Sequence, residues 1–417
     1  MPDTSALAIN PGDTAWLLTS AALVMLMTPA LGFFYGGLVR RKNVLSTLMH
    51  SWFILALISV QWVLWGYSLA FSPDTGLGLI GGLQWVGLNN VGQDPNPDYA
   101  ATVPQFAYMA FQMMFAVITP ALITGAFAER KRFKAFVVFS LLWATLVYDP
   151  VAHWVWGTGG WLRALGTLDF AGGTVVHITS GASALVAAMV LGRRKGFPKL
   201  ESFDPHDLTM VVLGAGLLWF GWFGFNAGSA LTAGGLAASA FVVTNTAAAM
   251  AALTWMTVSW MVHKRPSVLG AAAGAVAGLV AITPASGFVT VPASIIIGLG
   301  AGGICFFAIY LIKERFGVDD ALDVVGVHGV GGTWGAIATG LFATLAVNSA
   351  GANGLLYGNP QQLLTQLVAV GASWVYSVVM TFVILKAIDA TIGVRVPESE
   401  EVLGLDSTQH GEIAYQL

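Results

Sequence analysis

Long charge-free stretches constrain this chain more strongly than any other feature of its sequence. An α-helix needs about 20 apolar residues to cross the hydrocarbon core of a bilayer. The chain has 417 residues, of which 56% are apolar and 9% are charged, whereas soluble domains carry about 25% charged residues. This composition excludes a soluble globular enzyme, a disordered chain and a nucleic-acid-binding protein, and it predicts an all-α integral membrane protein. The charge-free stretches are residues 14–39, 43–73, 99–128, 135–148, 170–192, 208–263, 266–312 and 324–385.

The lengths of these stretches predict eleven transmembrane helices. The three longest hold two helices each, because each is broken near its middle by glycine, proline or asparagine, at 226–228, 284–287 and 348–360. The others hold one helix each. The stretch 135–148 reaches a full span only if its helix continues past Asp149 toward His153. An odd number of helices places the two termini on opposite sides of the membrane.

The distribution of Lys and Arg predicts the orientation. These residues are retained in cytoplasmic loops. If the N-terminus lies outside, every one of the 18 basic residues except Arg163 falls on the cytoplasmic side. The chain is therefore predicted to be a multi-pass protein of a cell membrane (inner or plasma), with a transmembrane domain over 1–388 and a cytoplasmic tail over 389–417. No basic region precedes the first helix, so no signal peptide is expected within this chain.

Two polar segments inside the apolar regions resemble each other. Asp169 is followed eight residues later by His177, and Asp320 is followed eight residues later by His328. Both histidines then enter a helix rich in glycine and alanine, in the fifth and the tenth predicted spans. A repeat of five helices must be inverted in the membrane, and transporters place their site where inverted repeats meet. The predicted architecture is two inverted five-helix repeats plus a final helix.

The two histidines are the strongest candidates for function. Polar side chains inside a membrane helix are costly and usually functional. A neutral imidazole both donates and accepts a hydrogen bond, so a facing pair can pass a small polar molecule without a fixed charge. The alternative is that each histidine is a packing residue. Neither belongs to a His-x-x-x-His or His-Glu-x-x-His pattern, and Cys305 is the single cysteine, so no metal or other cofactor is expected. The absence of a Gly-x-Ser-x-Gly elbow also disfavours a serine hydrolase.

Several motifs resemble those of ammonium transporters of the Amt/Mep/Rh family. Both histidines and the two phenylalanines Phe115 and Phe225 favour the microbial Amt branch. The resemblance implies eleven helices, an N-terminus outside, and a homotrimer with one pore in each subunit. The motifs are FFYGGLVR (33–40), DFAGGTVVH (169–177) with 180–184 and 192–194, GWFGFNAGS (221–229), VHGV (327–330), and the tail segments 395–398, 404–406 and 410–412.

The resemblance also implies roles for single residues. Trp156, Phe115 and Ser229 correspond to an outer site that recruits NH4+, since aromatic faces attract cations and a hydroxyl accepts an N–H group. The alternative for the aromatic residues is the belt that lies at membrane interfaces. Phe115 and Phe225 correspond to a hydrophobic gate below that site. His177 and His328 correspond to the twin histidines that line the pore.

Further polar residues are also assigned to the site. Asp169 corresponds to an acid beneath the vestibule that is needed for activity, although capping the N-terminus of the fifth helix explains it equally well. Asp320 is its counterpart in the second repeat. Gln112 and Thr283 are placed near the mouth of the pore.

The implied function is ammonium transport and not enzymatic catalysis. NH4+ binds outside, loses its proton near the gate and crosses as NH3, while the proton takes a separate route and makes transport electrogenic. K+ cannot lose a proton and is excluded. The basic loops and the tail resemble the docking surface for PII-type nitrogen-regulatory proteins, whereas charge alone indicates contact with membrane lipid. Two alternatives remain open, an ammonium sensor and an Rh-like channel for neutral NH3 or CO2.

Overall fold

The computed structural model describes residues 8–197 and 203–415 as a bundle of helices. Three segments lie outside the described residues: the first residues of the predicted transmembrane domain, 1–7, the segment 198–202 of a predicted cytoplasmic loop, and the last residues of the predicted tail, 416–417. The prediction of an all-α membrane fold is confirmed. In the described ranges nine helices are long and apolar enough to cross a membrane: α1 Pro11–Leu38, α2 Arg41–Phe71, α3 Gln105–Phe127, α4 Phe133–Ala164, α5 Gly173–Leu191, α6 Leu208–Gly228, α7 Gly235–His263, α9 Val291–Arg315 and α11 Pro360–Ile392.

Two shorter helices occupy the remaining predicted spans. α8 covers Val268–Ile282. α10 begins with a π-helical turn over Val325–Val330 and continues as an α-helix over Gly331–Phe342. Neither reaches the about 20 residues that a straight crossing requires. Eleven crossings therefore remain a prediction; within the described residues, the nine long helices and these two shorter ones add up to the same number.

The interruptions predicted from the sequence coincide with helix ends. α6 ends at Gly228, α8 ends at Ile282, and α10 ends at Phe342. α4 continues past Asp149 through a π-helical turn over Ala144–Tyr148 and reaches Trp156, where the chain turns before the last short helical stretch of α4, Trp161–Ala164. This continuation was the condition for counting the short stretch as a span.

The loop between α2 and α3 carries the two strands of the described residues. β1, Pro95–Asn96, pairs antiparallel with β2, Ala100–Pro104. The start of α1 lies against this hairpin, because the amide of Asn10 donates to the carbonyl of Thr102 at 2.8 Å. The hairpin therefore covers one end of the bundle.

A buried ionic network marks the opposite end, which we call the basic end. The Glu129 carboxylate contacts Arg40 and Arg194, each at 3.0 Å, and Arg194 reaches Asp319 at 2.7 Å. Burial alone raises the pKa of Glu129, but the Arg194 and Arg40 guanidiniums outweigh it and hold that pKa below its ordinary value. The network joins the loops after α1, α3, α5 and α9 into one surface.

The tail after α11 lies against the basic end. Its short helix α12 covers Glu398–Leu403. The Asp406 carboxylate then accepts the amides of Leu45 and Ser46 at 3.1 and 2.8 Å. The regular α-helical part of α2 begins at Val44. A carboxylate at this position satisfies two of the unpaired amides in its first turn and interacts favourably with the helix dipole.

Candidate functional site

α5 and α10 begin in the same unusual way. Each opens with a π-helical turn, Gly173–Ile178 in α5 and Val325–Val330 in α10. His177 and His328 lie inside these turns. π-helical turns are rare and are frequently found at functional sites. Their matched positions support the inverted repeat that the two Asp–His segments predicted.

The two aspartates bind the backbone at the starts of these helices. The Asp169 carboxylate accepts the amides of Gly172, Gly173 and Thr174, each at 2.7 Å, and also the Thr174 hydroxyl. Asp320 accepts the amide of Val325 at 2.7 Å. For Asp169 these are the contacts of a helix-capping residue. They use both of its oxygens, so the carboxylate acts on the site by fixing the start of α5.

His177 and His328 face each other across the crossing of α5 and α10. Their Nδ1 atoms are 3.2 Å apart, and both side chains are buried. A hydrogen bond between two imidazole nitrogens needs one donor and one acceptor, so the two neutral rings must hold their proton on different nitrogens. A neutral pair in this geometry therefore contains one hydrogen bond.

Glycine at the crossing allows the histidines to meet. A Cβ atom at Gly181 would lie 2.1 Å from the backbone nitrogen of Gly329, and one at Gly332 would lie 2.9 Å from the Cβ of His177. Neither position can carry a side chain without separating the two helices. Small residues at a helix crossing let backbones approach closely in a membrane, and here that approach sets the distance between the imidazole rings.

Three aromatic rings form a continuous line above the histidine pair. The Trp156 and Phe115 rings are perpendicular with centroids 6.0 Å apart, and the Phe115 and Phe225 rings are stacked at 4.2 Å. Phe225 lies 6.0 Å from His177. The structure thus brings together four of the predicted site residues in the order tryptophan, phenylalanine, phenylalanine, histidine. Phe115 and Phe225 are each 1% exposed, so they close the passage between Trp156 and the histidines.

Hydrogen bonds fix the outermost residues of this line. The indole N–H of Trp156 donates to the carbonyl of Asp169 at 2.9 Å, which links the ring to the start of α5. The Ser229 hydroxyl donates to the carbonyl of Phe225 at 2.9 Å. Because its hydrogen is used in that bond, the Ser229 oxygen is left with lone pairs that can accept an N–H group.

A mostly apolar cavity of about 510 Å³ extends from the histidine pair to the basic end. Ile118, Leu122 and Val176 line its wall near His177, and Asp323 lies at its other end. The phenylalanine pair separates this cavity from Trp156. A small uncharged molecule that passed the two rings would therefore reach the histidines and then the cavity.

Trp222 is a site residue for which the sequence predicted no role. Its ring stacks on His177 at 5.5 Å, and its indole N–H donates to the Thr283 hydroxyl at 2.9 Å. Thr283, predicted near the mouth, is therefore connected to the histidine layer through Trp222. Gln112 lies three residues before Phe115 on α3, with its amide 3.4 Å from the Tyr108 hydroxyl. The sequence carried one sign that Trp222 belongs to the site, which is its position within the motif GWFGFNAGS (221–229).

The described residues contain no cluster suited to a metal ion. Within 8–197 and 203–415, no three His, Cys, Asp or Glu side chains come close enough together to hold one.

Known proteins are similar to this chain in sequence and in fold. The sequence model of the Ammonium Transporter Family matches residues 15–415. A Bacillus subtilis protein named ammonium transporter is 58% identical over 405 residues, covering 97% of this chain and 98% of that protein. The crystal structure of Saccharomyces cerevisiae Mep2 is similar with a TM-score of 0.89 and 38% identity, covering 98% and 92% of the two chains. The structure of a protein named Sensor Amt Protein is similar with a TM-score of 0.88 and 28% identity, covering 96% and 98%.

Proposed function

This chain belongs to the Ammonium Transporter Family, and from that membership we propose how it transports its substrate. NH4+ binds beside Trp156 on the outer side, loses a proton near Phe115 and Phe225, and continues as NH3 past His177 and His328. The proton follows a separate route, so net transport carries charge.

The observation that carries this proposal is the position of the histidine pair. Its Nδ1 atoms are 3.2 Å apart, and the pair lies between the closed phenylalanine rings and the apolar cavity. A bare cation at the centre of a bilayer costs at least about 2.5 kcal/mol. Among the described residues that line the cavity, the one carboxylate is Asp323, at the end away from the histidine pair. NH3 has no net charge, and neutral imidazoles offer it hydrogen bonds along an apolar wall.

Recruitment of the cation is assigned to Trp156, Phe115 and Ser229. A cation within about 6 Å of an aromatic face gains roughly 0.5–2 kcal/mol, and the Ser229 oxygen is free to accept one N–H group. The Asp169 carboxylate is occupied by backbone amides. In this proposal the Asp169 side chain holds the start of α5, and the backbone carbonyl of Asp169 holds the Trp156 indole.

Selection against K+ follows from deprotonation. K+ has a similar charge to NH4+ but no proton to lose, so it would have to cross the apolar section as a bare ion. That crossing carries the full cost of desolvation. Gln112, Thr283 and Asp320 support the site in this proposal by holding neighbouring groups.

Current measurements on proteoliposomes test the proposal. Ammonium pulses should give a current, and equal K+ pulses should give none. Replacing both His177 and His328 with alanine should strongly reduce the ammonium current, whereas His206→Ala, at a half-buried position bonded to the carbonyl of Val39, should not. An ammonium current that persists undiminished without the histidine pair would refute the proposal.

Sensing is the second candidate function, because one of the similar structures is that of a protein named Sensor Amt Protein. A sensor would bind ammonium at Trp156 without passing it. A channel for neutral NH3 or CO2, as in Rh-like proteins, would give flux of the gas without current. Measuring binding, flux and current on the same proteoliposomes separates the three functions.

We further propose that the protein lies in the cell membrane as a homotrimer, with its basic end in the cytoplasm and its N-terminus outside. The predicted cytoplasmic tail, 389–417, then lies on the surface where a PII-type regulatory protein would dock. Charge supports this location, since Arg40, Arg130 and Arg194 all lie at that end.

Recovery of a PII-type partner from the source organism tests the tail. The full chain should bring down the partner, and a chain ending at Ile392 should not. Asp406→Asn, which weakens the contact of the tail with α2, serves as a milder variant. Equal recovery with all three chains would count against docking on the tail.

A further inference from the structure

His153 and Asp74 form a buried polar contact below the outer turn of α4. The Nε2 atom of His153 is 3.0 Å from Oδ1 of Asp74, and its Nδ1 atom is 2.9 Å from the carbonyl oxygen of Ala70. The His153 side chain is 0% exposed and that of Asp74 is 14% exposed. The contact joins the end of α2 and the loop after it to the end of α4.

The geometry requires a proton between the two side chains. The carbonyl of Ala70 only accepts hydrogen bonds, so Nδ1 of His153 must carry a hydrogen. An ionised carboxylate also only accepts, so an unprotonated Nε2 would face another acceptor at 3.0 Å. The contact therefore holds only while one proton lies between Nε2 and Oδ1. The Asp74 carboxyl is partly desolvated, which raises its pKa, but the amides of Gly78 and Gly76 and the His153 ring together hold that pKa below its ordinary value.

The other ionisable groups around this pair have partners of their own. Asp149, one turn below on α4, accepts the Gln61 amide at 2.8 Å. The Tyr99 hydroxyl donates to the carbonyl of Phe71 at 2.5 Å, and the Tyr67 hydroxyl lies 3.4 Å from the Gln105 amide.

On the far side of the turn, the Arg163 guanidinium donates to the carbonyl of Trp156 at 2.7 Å and to that of Asp98 at 3.4 Å. Across residues 8–197 and 203–415, Asp74 is the acid within ion-pair distance of His153. The proton state of the contact is therefore set by these two residues.

The turn that follows Trp156 is built around this pair. A Cβ atom at Gly157 would lie 2.4 Å from Nδ1 of His153, and one at Gly159 would lie 2.7 Å from the Cβ of Asp74. The amide of Gly157 also donates to the carbonyl of His153 at 2.9 Å. Any movement of His153 away from Asp74 is therefore transmitted to the backbone next to Trp156.

We propose that His153 is a positioning residue for the outer ammonium site, and that the proton it shares with Asp74 holds Trp156 in place over Phe115. The inference rests on the proposed function, in which Trp156 recruits NH4+. When the outer solution becomes alkaline enough to leave the His153 ring with one proton, either Nε2 faces the Asp74 carboxylate or Nδ1 faces the Ala70 carbonyl without a hydrogen between them, and one of the two contacts that hold His153 opens. The apparent affinity for ammonium then falls.

The half-saturating ammonium concentration, measured by current at several outer pH values, tests this inference. Wild type and variants are compared at the same concentration of NH4+, so that titration of the substrate cancels. In the wild type we expect a rise of about two- to thirtyfold at alkaline pH, the range for loss of one cation–π contact. Asp74→Asn should abolish this pH dependence, because the asparagine amide donates to unprotonated Nε2 without needing the extra proton. Asp74→Ala should give the high value at every pH.

A second readout does not depend on ammonium. Hydrogen exchange of the amides of Gly157 and Gly160, corrected for the intrinsic effect of pH, should accelerate at alkaline pH in the wild type and not in Asp74→Asn. If Asp74→Asn keeps the pH dependence of the wild type while Trp156→Leu still raises the half-saturating concentration, the inference is wrong and the proposed function stands. If Trp156→Leu has no effect, recruitment at Trp156 fails, and the positioning role fails with it.

Discussion

The close crossing of α5 and α10 predicts a large effect from a single methyl group. In Gly181→Ala the added carbon would lie 2.1 Å from the backbone nitrogen of Gly329, whereas ordinary contact begins at 3.4 Å. The contacting atom belongs to the backbone and cannot rotate away. The helices must therefore separate by roughly 1.3 Å at this point, a case of overpacking that typically costs about 1–3 kcal/mol of stability.

That separation is enough to break the histidine contact. The Nδ1 atoms of His177 and His328 are 3.2 Å apart, close to the upper limit of about 3.2 Å for a good nitrogen hydrogen bond. A shift of even half the expected size would open the pair. We therefore expect Gly181→Ala to fold with a lowered melting temperature and to lose most of its ammonium current.

The assay compares current and thermal unfolding for Gly181→Ala and a matched control. Gly371→Ala, in the middle of α11, is suitable because nothing lies within 4 Å of its added carbon. The control should keep wild-type current and stability. A Gly181→Ala protein with wild-type current would show that the distance between the histidines does not matter for transport, and the reasoning would be wrong.

The remaining predictions concern the conduction path and the basic end. His177→Asp should admit K+ as well as ammonium, because a fixed carboxylate lowers the barrier for intact cations. His328→Ala should reduce the ammonium current without changing the oligomer, and current measurements and gel filtration check the two variants. If both variants still exclude K+ and keep the full ammonium current, the histidines are packing residues. Trp156→Leu should raise the half-saturating ammonium concentration by about two- to thirtyfold with the pore still open, and an unchanged dose response would return this residue to the aromatic belt. The pKa of Glu129 is held below its ordinary value, so its ion pairs stabilise the fold above about pH 4.3 and that stabilisation is lost as pH falls through the lowered pKa. Unfolding in acid should show this loss in the wild type, and a protein whose stability stays constant through that range would contradict it.

The helices were largely predictable from the sequence because the membrane imposes a simple rule on charge. Every long charge-free stretch became a helix, and the breaks at 226–228 and 284–287 became helix ends. α8 and α10 are shorter than the rule requires, because their neighbours cover them and they need not meet lipid along a full span. The extent of a helix inside a bundle depends on its neighbours, and the sequence does not show them.

The candidate site residues could be named from the sequence, but the contacts between them could not. Two histidines at matched positions indicated a pair, but the 3.2 Å contact depends on the crossing at Gly181, which is a tertiary feature. The same is true of Trp222, whose hydrogen bond to Thr283 spans 61 positions in sequence. The capping role of Asp169 was predictable, because the residue directly precedes a helix.

The single hydrogen bond between His177 and His328 gives the pair a polarity. At any moment one ring is the donor and the other the acceptor, so the pair has two arrangements of equal connectivity that differ only in direction. Any proton handed along the pair reverses that direction, and both rings must return to their starting state before a second proton can follow the same way. If the proton of the proposed transport cycle passed along this pair, the pair would act as a two-position switch that must be reset in every cycle, and the rate of that reset would limit how fast charge follows the substrate.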